Sequence, residues 1–160
     1  MSRYAENTSV PIEKSKAEIE KLLRRYGAEQ FISGWDQEQA IIGCSIEGRQ
    51  VRFRLPIPPR DDYLRSASGR QSRNPDQVDA AWEQGQRQAW RALALVIKAK
   101  LESVEAGIFT FEQEFLPHIL LPDGQTVGEY MTPQIAAAYK TGQMPALLPA
   151  AAGGSNVQQG

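Results

Sequence analysis

Residues 40–55 read AIIGCSIEGRQVRFRL, and this stretch decides the fold. Apolar residues alternate with small or polar ones on both sides of Glu47-Gly48, a pair typical of a two-residue hairpin turn. If these two residues form the turn, Ile46 lies opposite Arg49, and alternate positions of both strands share one face. That face collects Ala40, Ile42, Cys44, Val51, Phe53 and Leu55. The stretch therefore predicts two antiparallel strands with one apolar face and one polar face.

The flanking segments extend this hairpin into an α+β fold. Upstream, QFISGW (30–35) has the β-branched and aromatic content of another strand, which completes a three-stranded antiparallel meander. Before it, residues 13–26 carry apolar side chains at helical spacing, and Gly27 follows where a glycine often ends a helix. This pattern predicts an N-terminal helix.

A long helix is predicted after the sheet. Asn74-Pro75 fits an N-cap and first helical position, and Gly107 fits the end of the helix. Its apolar stripe comprises Val78, Trp82, Gly85, Ala89, Leu93, Val96, Ile97, Leu101 and Val104. We expect this stripe to cover the apolar face of the sheet.

The C-terminal third alternates capping threonines with prolines, which predicts several short helices. Thr110 and Thr126 each precede a Gln or Glu by three residues, the spacing of a capping box, and Thr132-Pro133 fits a further helix start. Residues 1–12 are predicted to form a flexible leader, and residues 150–160 are predicted to form a disordered tail. Residues 13–149 then form a single α+β domain, since a chain of 160 residues has room for one modest core.

Composition narrows the classes of function. The formal charge is −1, from 18 basic and 19 acidic residues, which argues against coating nucleic acid or membrane with the whole surface. The single cysteine excludes an intrachain disulfide and a zinc site built on several thiolates. No segment predicts a signal peptide or a membrane span, so we expect a soluble, cytoplasmic protein without membrane contact. No phosphate-loop, dinucleotide or zinc motif occurs, and no cofactor is expected.

A basic segment stands out against this nearly neutral background. Between Glu47 and Gln77 the chain has seven arginines and four acidic residues. Arginine binds phosphate oxygens through a planar, permanently charged fork, and a nearby aromatic ring can stack on a base. The segment therefore predicts a DNA- or RNA-binding surface made of Arg49, Arg52, Arg54, Arg60, Tyr63, Arg65 and Arg70, with Arg73 beside it. Alternatively, the arginines only keep a sheet face and the polar loop of residues 58–73 soluble; a loop of that length is either functional or disordered.

Candidates for catalysis are few. His118 is the only histidine, and its position after a proline and beside an apolar run favours a structural ring over a general base. Cys44 alternates with core residues, so a buried, inert thiol is expected. A magnesium site could use the carboxylates of Glu112, Glu114, Asp123 and Glu129. Their positions argue against it, because the first two point apart on a helix and the third belongs to a turn.

The tryptophans suggest another kind of surface. Trp82 and Trp90 are eight residues apart and so lie on nearly the same side of the long helix, while Trp35 ends the first strand. Core packing is expected for at least one of them, whereas an exposed pair would indicate a surface for a partner.

Three segments together resemble a family of small proteins of unknown function from bacteriophages, prophages and mobile elements. They are KSKAEIEKLLRRYGAEQF (14–31), VRFRLPIP (51–58) and the stretch from AWRALALVIKAK to QMPALLP (89–149), and the similarity extends over residues 10–149. The resemblance implies no activity and no site residue. It implies a protein of the host cytoplasm that acts on phage or host nucleic acid, or on a host protein.

Three functions remain open at this point. The leading hypothesis is a non-enzymatic, phage-type accessory protein that binds nucleic acid through arginines converging on one surface. The second is an interaction module for a host or phage protein, using the loop of residues 58–73 and the proline-rich C-terminal segment, with an exposed apolar patch that includes Trp90 or Met144. The third is an enzyme in which a cleft joins His118 to two or more carboxylates.

Overall fold

The computed structural model describes residues 5–36 and 38–144, which form the predicted α+β fold. Helix α1 spans Ile12–Arg25 and is followed by strands β1 (Gln30–Trp35), β2 (Gln39–Ile46) and β3 (Arg49–Pro56). The strands form one antiparallel sheet in the order β1-β2-β3. The long helix α2 (Pro75–Glu105) comes next, then α3 (Phe111–Phe115) and α4 (Val127–Thr141), with 3-10 helices at Arg60–Tyr63 and Leu116–His118.

The β2-β3 hairpin has the predicted register. Ile46 pairs with Arg49, and the pairs Cys44-Val51, Ile42-Phe53 and Ala40-Leu55 follow along the hairpin. Glu47 and Gly48 have φ angles of 49° and 69°, the left-handed conformation that a type I′ turn needs at both central positions. The turn and the alternation of apolar residues thus specify the same pairing, and the three pairs from Cys44-Val51 to Ala40-Leu55 make one face of the hairpin apolar.

Two helices cover this apolar face, as expected for an α+β fold. The buried side chains are Ile19 and Leu23 of α1, and Trp90, Ala94, Ile97 and Leu101 of α2. Phe115 of α3 closes the core, with its ring centroid 6.2 Å from that of Phe53. One member of the predicted stripe is misplaced: Val96 is 48% exposed, because α2 has apolar residues on two sides and only one side meets the sheet.

The loop of residues 58–73 is held in place by its own hydrogen bonds. Beyond the 3-10 helix, Arg65 and Ser72 form an isolated β-bridge, and the N–H of Arg73 donates to the carbonyl of Leu64 at 2.9 Å. The N–H of Gly69 donates to the carbonyl of Ser66 at 2.7 Å in the turn between them. The loop is therefore a defined surface rather than a disordered linker.

Part of the predicted leader is also ordered. Ala5 is buried, and the side-chain amide of Gln84 donates to the carbonyls of Glu6 and Thr8 at 3.3 and 2.9 Å. Two residues of the predicted leader, Glu6 and Thr8, are therefore hydrogen-bonded to α2. The predicted tail, residues 150–160, lies outside the described residues.

The two C-terminal helices begin at the predicted capping boxes. The hydroxyl oxygens of Thr110 and Thr126 each accept a hydrogen bond from the N–H three residues on, and the N–H of each threonine donates to the side chain of that same residue. The further helix start predicted at Thr132-Pro133 is wrong, because α4 runs through Pro133. The hydroxyl of Thr132 donates to the carbonyl of Gly128 at 2.6 Å instead of capping a new helix.

Helix α2 is 31 residues long, which exceeds the length of a membrane span, but its sides carry many charged and polar residues. Within residues 5–36 and 38–144, no helix combines the length and the apolar character that crossing a membrane requires.

Candidate functional site

Two of the predicted binding arginines are paired within the chain. Arg52 and Arg54 lie on the sheet face opposite the core, where the carboxylate of Glu129 on α4 binds them at 2.7 and 3.0 Å. The side chain of Arg52 is 17% exposed, and its Nε has no hydrogen-bond partner among the described residues. A hydrogen bond from the backbone N–H of Thr126, together with the charges of the two arginines, lowers the pKa of Glu129. The two arginines therefore anchor α4 to the sheet, and a phosphate would have to displace Glu129 to reach them.

Replacing Glu129 with glutamine is expected to lower stability at neutral pH by an amount that disappears in acid. Folding lowers the pKa of Glu129 below its ordinary value of 4.5, so its ionised form contributes stability above that pH. The contribution is lost as the pH falls through the folded-state pKa. Urea unfolding of both proteins from neutral pH into the acid range should show the two midpoints converging. Glu112→Gln, at an exposed position on α3, is the control, and a Glu129→Gln difference that persists unchanged in acid would contradict the assignment.

Two loop arginines also have partners within the chain. The Nε of Arg60 donates to Asp79 of α2 at 2.5 Å, and this hydrogen bond raises the pKa of Arg60. Arg73 donates to the carbonyls of Tyr63 and Arg65 at 3.0 and 2.6 Å. Both arginines hold the loop in shape, which is a structural use of their charge and fork geometry.

The other three predicted arginines are exposed and separated. Arg49, Arg65 and Arg70 form no ion pair with a carboxylate in the part of the chain that the structure describes. Arg49 stands at the turn end of β3, roughly 16 Å along the strand from Arg54, whereas the loop that carries the other two follows the opposite end of β3. The structure therefore divides the predicted arginines between distinct surfaces.

Tyr63, predicted to stack on a base, packs against α2. A Cβ atom on Gly85 would lie 2.0 Å from its hydroxyl oxygen, so the ring occupies the space that this glycine leaves open on the helix. Burial raises the pKa of Tyr63. The ring is half-buried. A glycine inside a helix lowers stability, and its presence at position 85 is explained by the space that the Tyr63 ring needs.

The residues considered for catalysis also have structural partners. The ring of His118 lies 4.4 Å from that of Phe53, and burial lowers its pKa. Glu114 accepts hydrogen bonds from Ser103 and Lys100 at 2.7 and 3.2 Å, and burial raises the pKa of Cys44 to about 11. No three His, Cys, Asp or Glu side chains come together as a metal site within the described ranges.

The most distinctive feature of the surface is a groove lined by all three tryptophans of the chain. Its volume is about 620 Å³, within the size range of ligand-binding pockets. Trp90 forms part of the floor and is only 3% exposed, Trp82 is half-buried, and Trp35 at the end of β1 is 77% exposed. The groove lies between the first turns of α1, the N-terminal half of α2 and residues 57–61 after β3.

The packing fixes two of the three indoles. The Nε1–H of Trp82 donates to the carbonyl of Pro58 at 2.9 Å, which attaches the start of the 58–73 loop to α2. Trp90 is held by burial in the core, with the ammonium of Lys16 lying 5.0 Å above its ring. Only Trp35 projects into solvent, and an exposed side chain of this size next to a preformed groove is typical of a binding surface.

The charged groups at the rim are more acidic than basic. Glu13, Asp36 and Asp61 line the groove together with Lys16 and Arg60. Both cations are already paired, Lys16 with Glu13 at 3.3 Å and Arg60 with Asp79. Hydrogen bonds from the backbone N–H groups of Glu38 and Gln39 lower the pKa of Asp36, which keeps its carboxylate ionised.

The sequence contained only part of the signal for this groove. The eight-residue spacing of Trp82 and Trp90 placed them on one side of α2, but their meeting with Trp35 depends on how β1 packs beside α1 and α2. Of the two residues named for an exposed apolar patch, Met144 is exposed and Trp90 is buried. Comparison of the chain with protein-family models, curated proteins and solved structures gives no significant match.

Proposed function

We propose that this protein is an interaction module whose tryptophan groove binds an extended, proline-containing segment of a partner protein. The observation that carries the proposal is the convergence of Trp35, Trp82 and Trp90 on one groove with one indole left exposed. Aromatic-lined grooves bind proline-rich segments because a polyproline II helix is already extended and loses little entropy on docking. The resemblance to bacteriophage proteins extends the proposal to a phage or host protein as the source of the segment.

Two of the three tryptophans in the groove are held in place by the fold, which supports this function. Trp82 is fixed by its bond to Pro58 and Trp90 by the core, so binding has to immobilise mainly Trp35. A preformed site reduces the entropy cost of association. The groove can therefore bind a short segment with modest contact area.

The charge of the rim favours a neutral or basic segment. Glu13 is paired with Lys16, and Arg60 is paired with Asp79, so Asp36 and Asp61 are the two rim carboxylates that form no ion pair among the described residues. A polyanion would meet net repulsion here, whereas a lysine or arginine next to the prolines would find opposite charge. Nucleic acid is thus disfavoured at this site.

Tryptophan emission gives a direct test, because every tryptophan of the chain lines the groove. The protein is titrated with a proline-rich peptide that has a lysine flank, with the same peptide bearing a glutamate flank, and with a counterpart in which alanine replaces each proline. Desolvation of Trp35 should shift the emission to the blue, with a Kd on the order of micromolar for the lysine peptide, and the other two should bind more weakly. Unchanged emission with every peptide would contradict the proposal.

Nucleic-acid binding is a second candidate, supported by the exposed residues Arg49, Arg65 and Arg70, whose guanidinium groups form no ion pair among the described residues. If all three reached phosphates, the logarithm of the binding constant would fall with the logarithm of salt concentration with a slope of roughly −2 to −3. Fluorescence-anisotropy titration of short single- and double-stranded DNA and RNA measures this slope. A variant with alanine at all three positions should then lose binding, and no binding at low salt would exclude this function.

A further inference from the structure

Strand β1 is an uncovered edge of the sheet. It pairs only with β2, and five of its six residues are exposed. The N–H of Asp36 donates to the carbonyl of Gln39, so these two residues form a hydrogen-bonded pair at the turn. Because bonded and non-bonded pairs alternate in antiparallel strands, the backbone groups of Phe31, Ser33 and Trp35 point away from β2.

This edge lacks the features that usually prevent association. Natural edge strands carry charged residues, prolines or bulges that block pairing with another chain. The segment QFISGW has no charged residue and no proline, and two of its large apolar side chains are exposed, Ile32 by 68% and Trp35 by 77%. An exposed and uncharged edge is a surface for strand addition.

We infer that a second copy of the chain pairs with this edge, so that two three-stranded sheets join into one continuous antiparallel sheet. If Ser33 of both copies lies on the two-fold axis, the three residues whose backbone groups point away from β2 are all paired with the second copy. Phe31 of each copy then lies opposite Trp35 of the other, an aromatic cross-strand pair that stabilises antiparallel sheets. Ser33 has the smallest side chain of these three residues, and it is at the axis, where each strand meets its own copy.

The residues of β1 on the other face of the sheet also fit this register. Ile32 lies opposite Gly34 of the second copy, and the space above Gly34 is open, with no atom within 4 Å of where a Cβ would be. The charges also fit a second copy: Asp36 comes opposite Gln30, so the strand meets no like charge across the axis. The register therefore brings Ile32 to an open position and places no like charges opposite each other, so a second copy fits this edge.

Sedimentation velocity of the full chain from about 1 μM to about 1 mM, the range of weak to moderate affinities, tests the inference. We expect a dimer whose fraction rises with concentration. Ser33→Lys puts two like charges face to face at the axis and should weaken the dimer roughly fivefold or more. Ser9→Lys adds the same charge at an exposed site outside β1 and should leave it unchanged.

Amide hydrogen exchange provides a readout that needs no variant. The N–H groups of Phe31, Ser33 and Trp35 should gain protection as the wild-type concentration rises. A wild type that is monomeric throughout, or a Ser33→Lys dimer of unchanged affinity, would overturn the inference. Protection of these amides only on adding a different peptide would overturn it too, in favour of a foreign strand. Trp35 belongs to both surfaces, but Ser33 does not line the tryptophan groove, so Ser33→Lys changes the dimer contact while every groove-lining residue stays the same.

Discussion

Phe115→Ala should lower the free energy of unfolding by about 3–5 kcal/mol, the loss typical of a large aromatic side chain removed from a core. Phe115 has no exposed surface, and its ring stacks on that of Phe111 with centroids 4.7 Å apart while meeting Phe53 edge-on. Removing it leaves a cavity where α3, α2 and the sheet meet, and the lost contacts add to the lost hydrophobic burial. Urea denaturation at constant m-value measures the change.

Phe109→Ala is the matched control for this prediction. Phe109 is the same residue type six positions earlier, but it is 49% exposed and lies outside the buried core cluster. Its replacement should cost about 1 kcal/mol or less. Equal losses for the two variants would show that α3 does not close the core in the way described.

Trp35→Ala is expected to weaken binding of the lysine-flanked proline peptide about 30-fold or more, the loss typical of an aromatic hot spot. The indole is the only one of the three that the fold leaves in solvent, so its contact surface is available to a ligand. The same exposure means that the substitution should change unfolding free energy by no more than about 0.5 kcal/mol. Calorimetric titration is the suitable measurement, because the variant lacks the fluorophore most exposed to the ligand.

The control for this variant lies on the same strand. Ile32 is also exposed but does not line the groove, so Ile32→Ala should bind the peptide as the wild type does. A loss shared by both variants would indicate damage to β1 rather than to the groove. Wild-type affinity in Trp35→Ala would remove this tryptophan from the proposed site.

The register of the β2-β3 hairpin was predictable because two local signals determine it. A turn of left-handed residues at Glu47-Gly48 fixes which residues face each other, and the period of two in the apolar pattern fixes which face is buried. The helix starts at Asn74, Thr110 and Thr126 were predictable for a similar reason, since a capping box needs only side chains three residues apart.

The ion pairs and the groove depend on contacts that no local pattern contains. Glu129 is 77 residues from Arg52 in the sequence. The sequence therefore showed a cluster of arginines without partners, whereas in the fold two of them are paired with Glu129. The exposed position of Val96 has a similar origin, because a long helix with two apolar sides does not reveal which side meets the sheet. Trp35 joins the other two tryptophans only once β1 lies beside the helices.

The indole N–H resonances report directly on whether the tryptophan groove is the ligand site. A chain with three tryptophans gives one such signal for each, and all three report from the groove. On titration with the lysine-flanked proline peptide, the indole signal of Trp35 should move most and that of Trp82, bonded to Pro58, should move less. Unmoved indole signals, with the largest shifts instead at Arg49, Arg65 and Arg70, would contradict the account and place the site on the arginine surfaces.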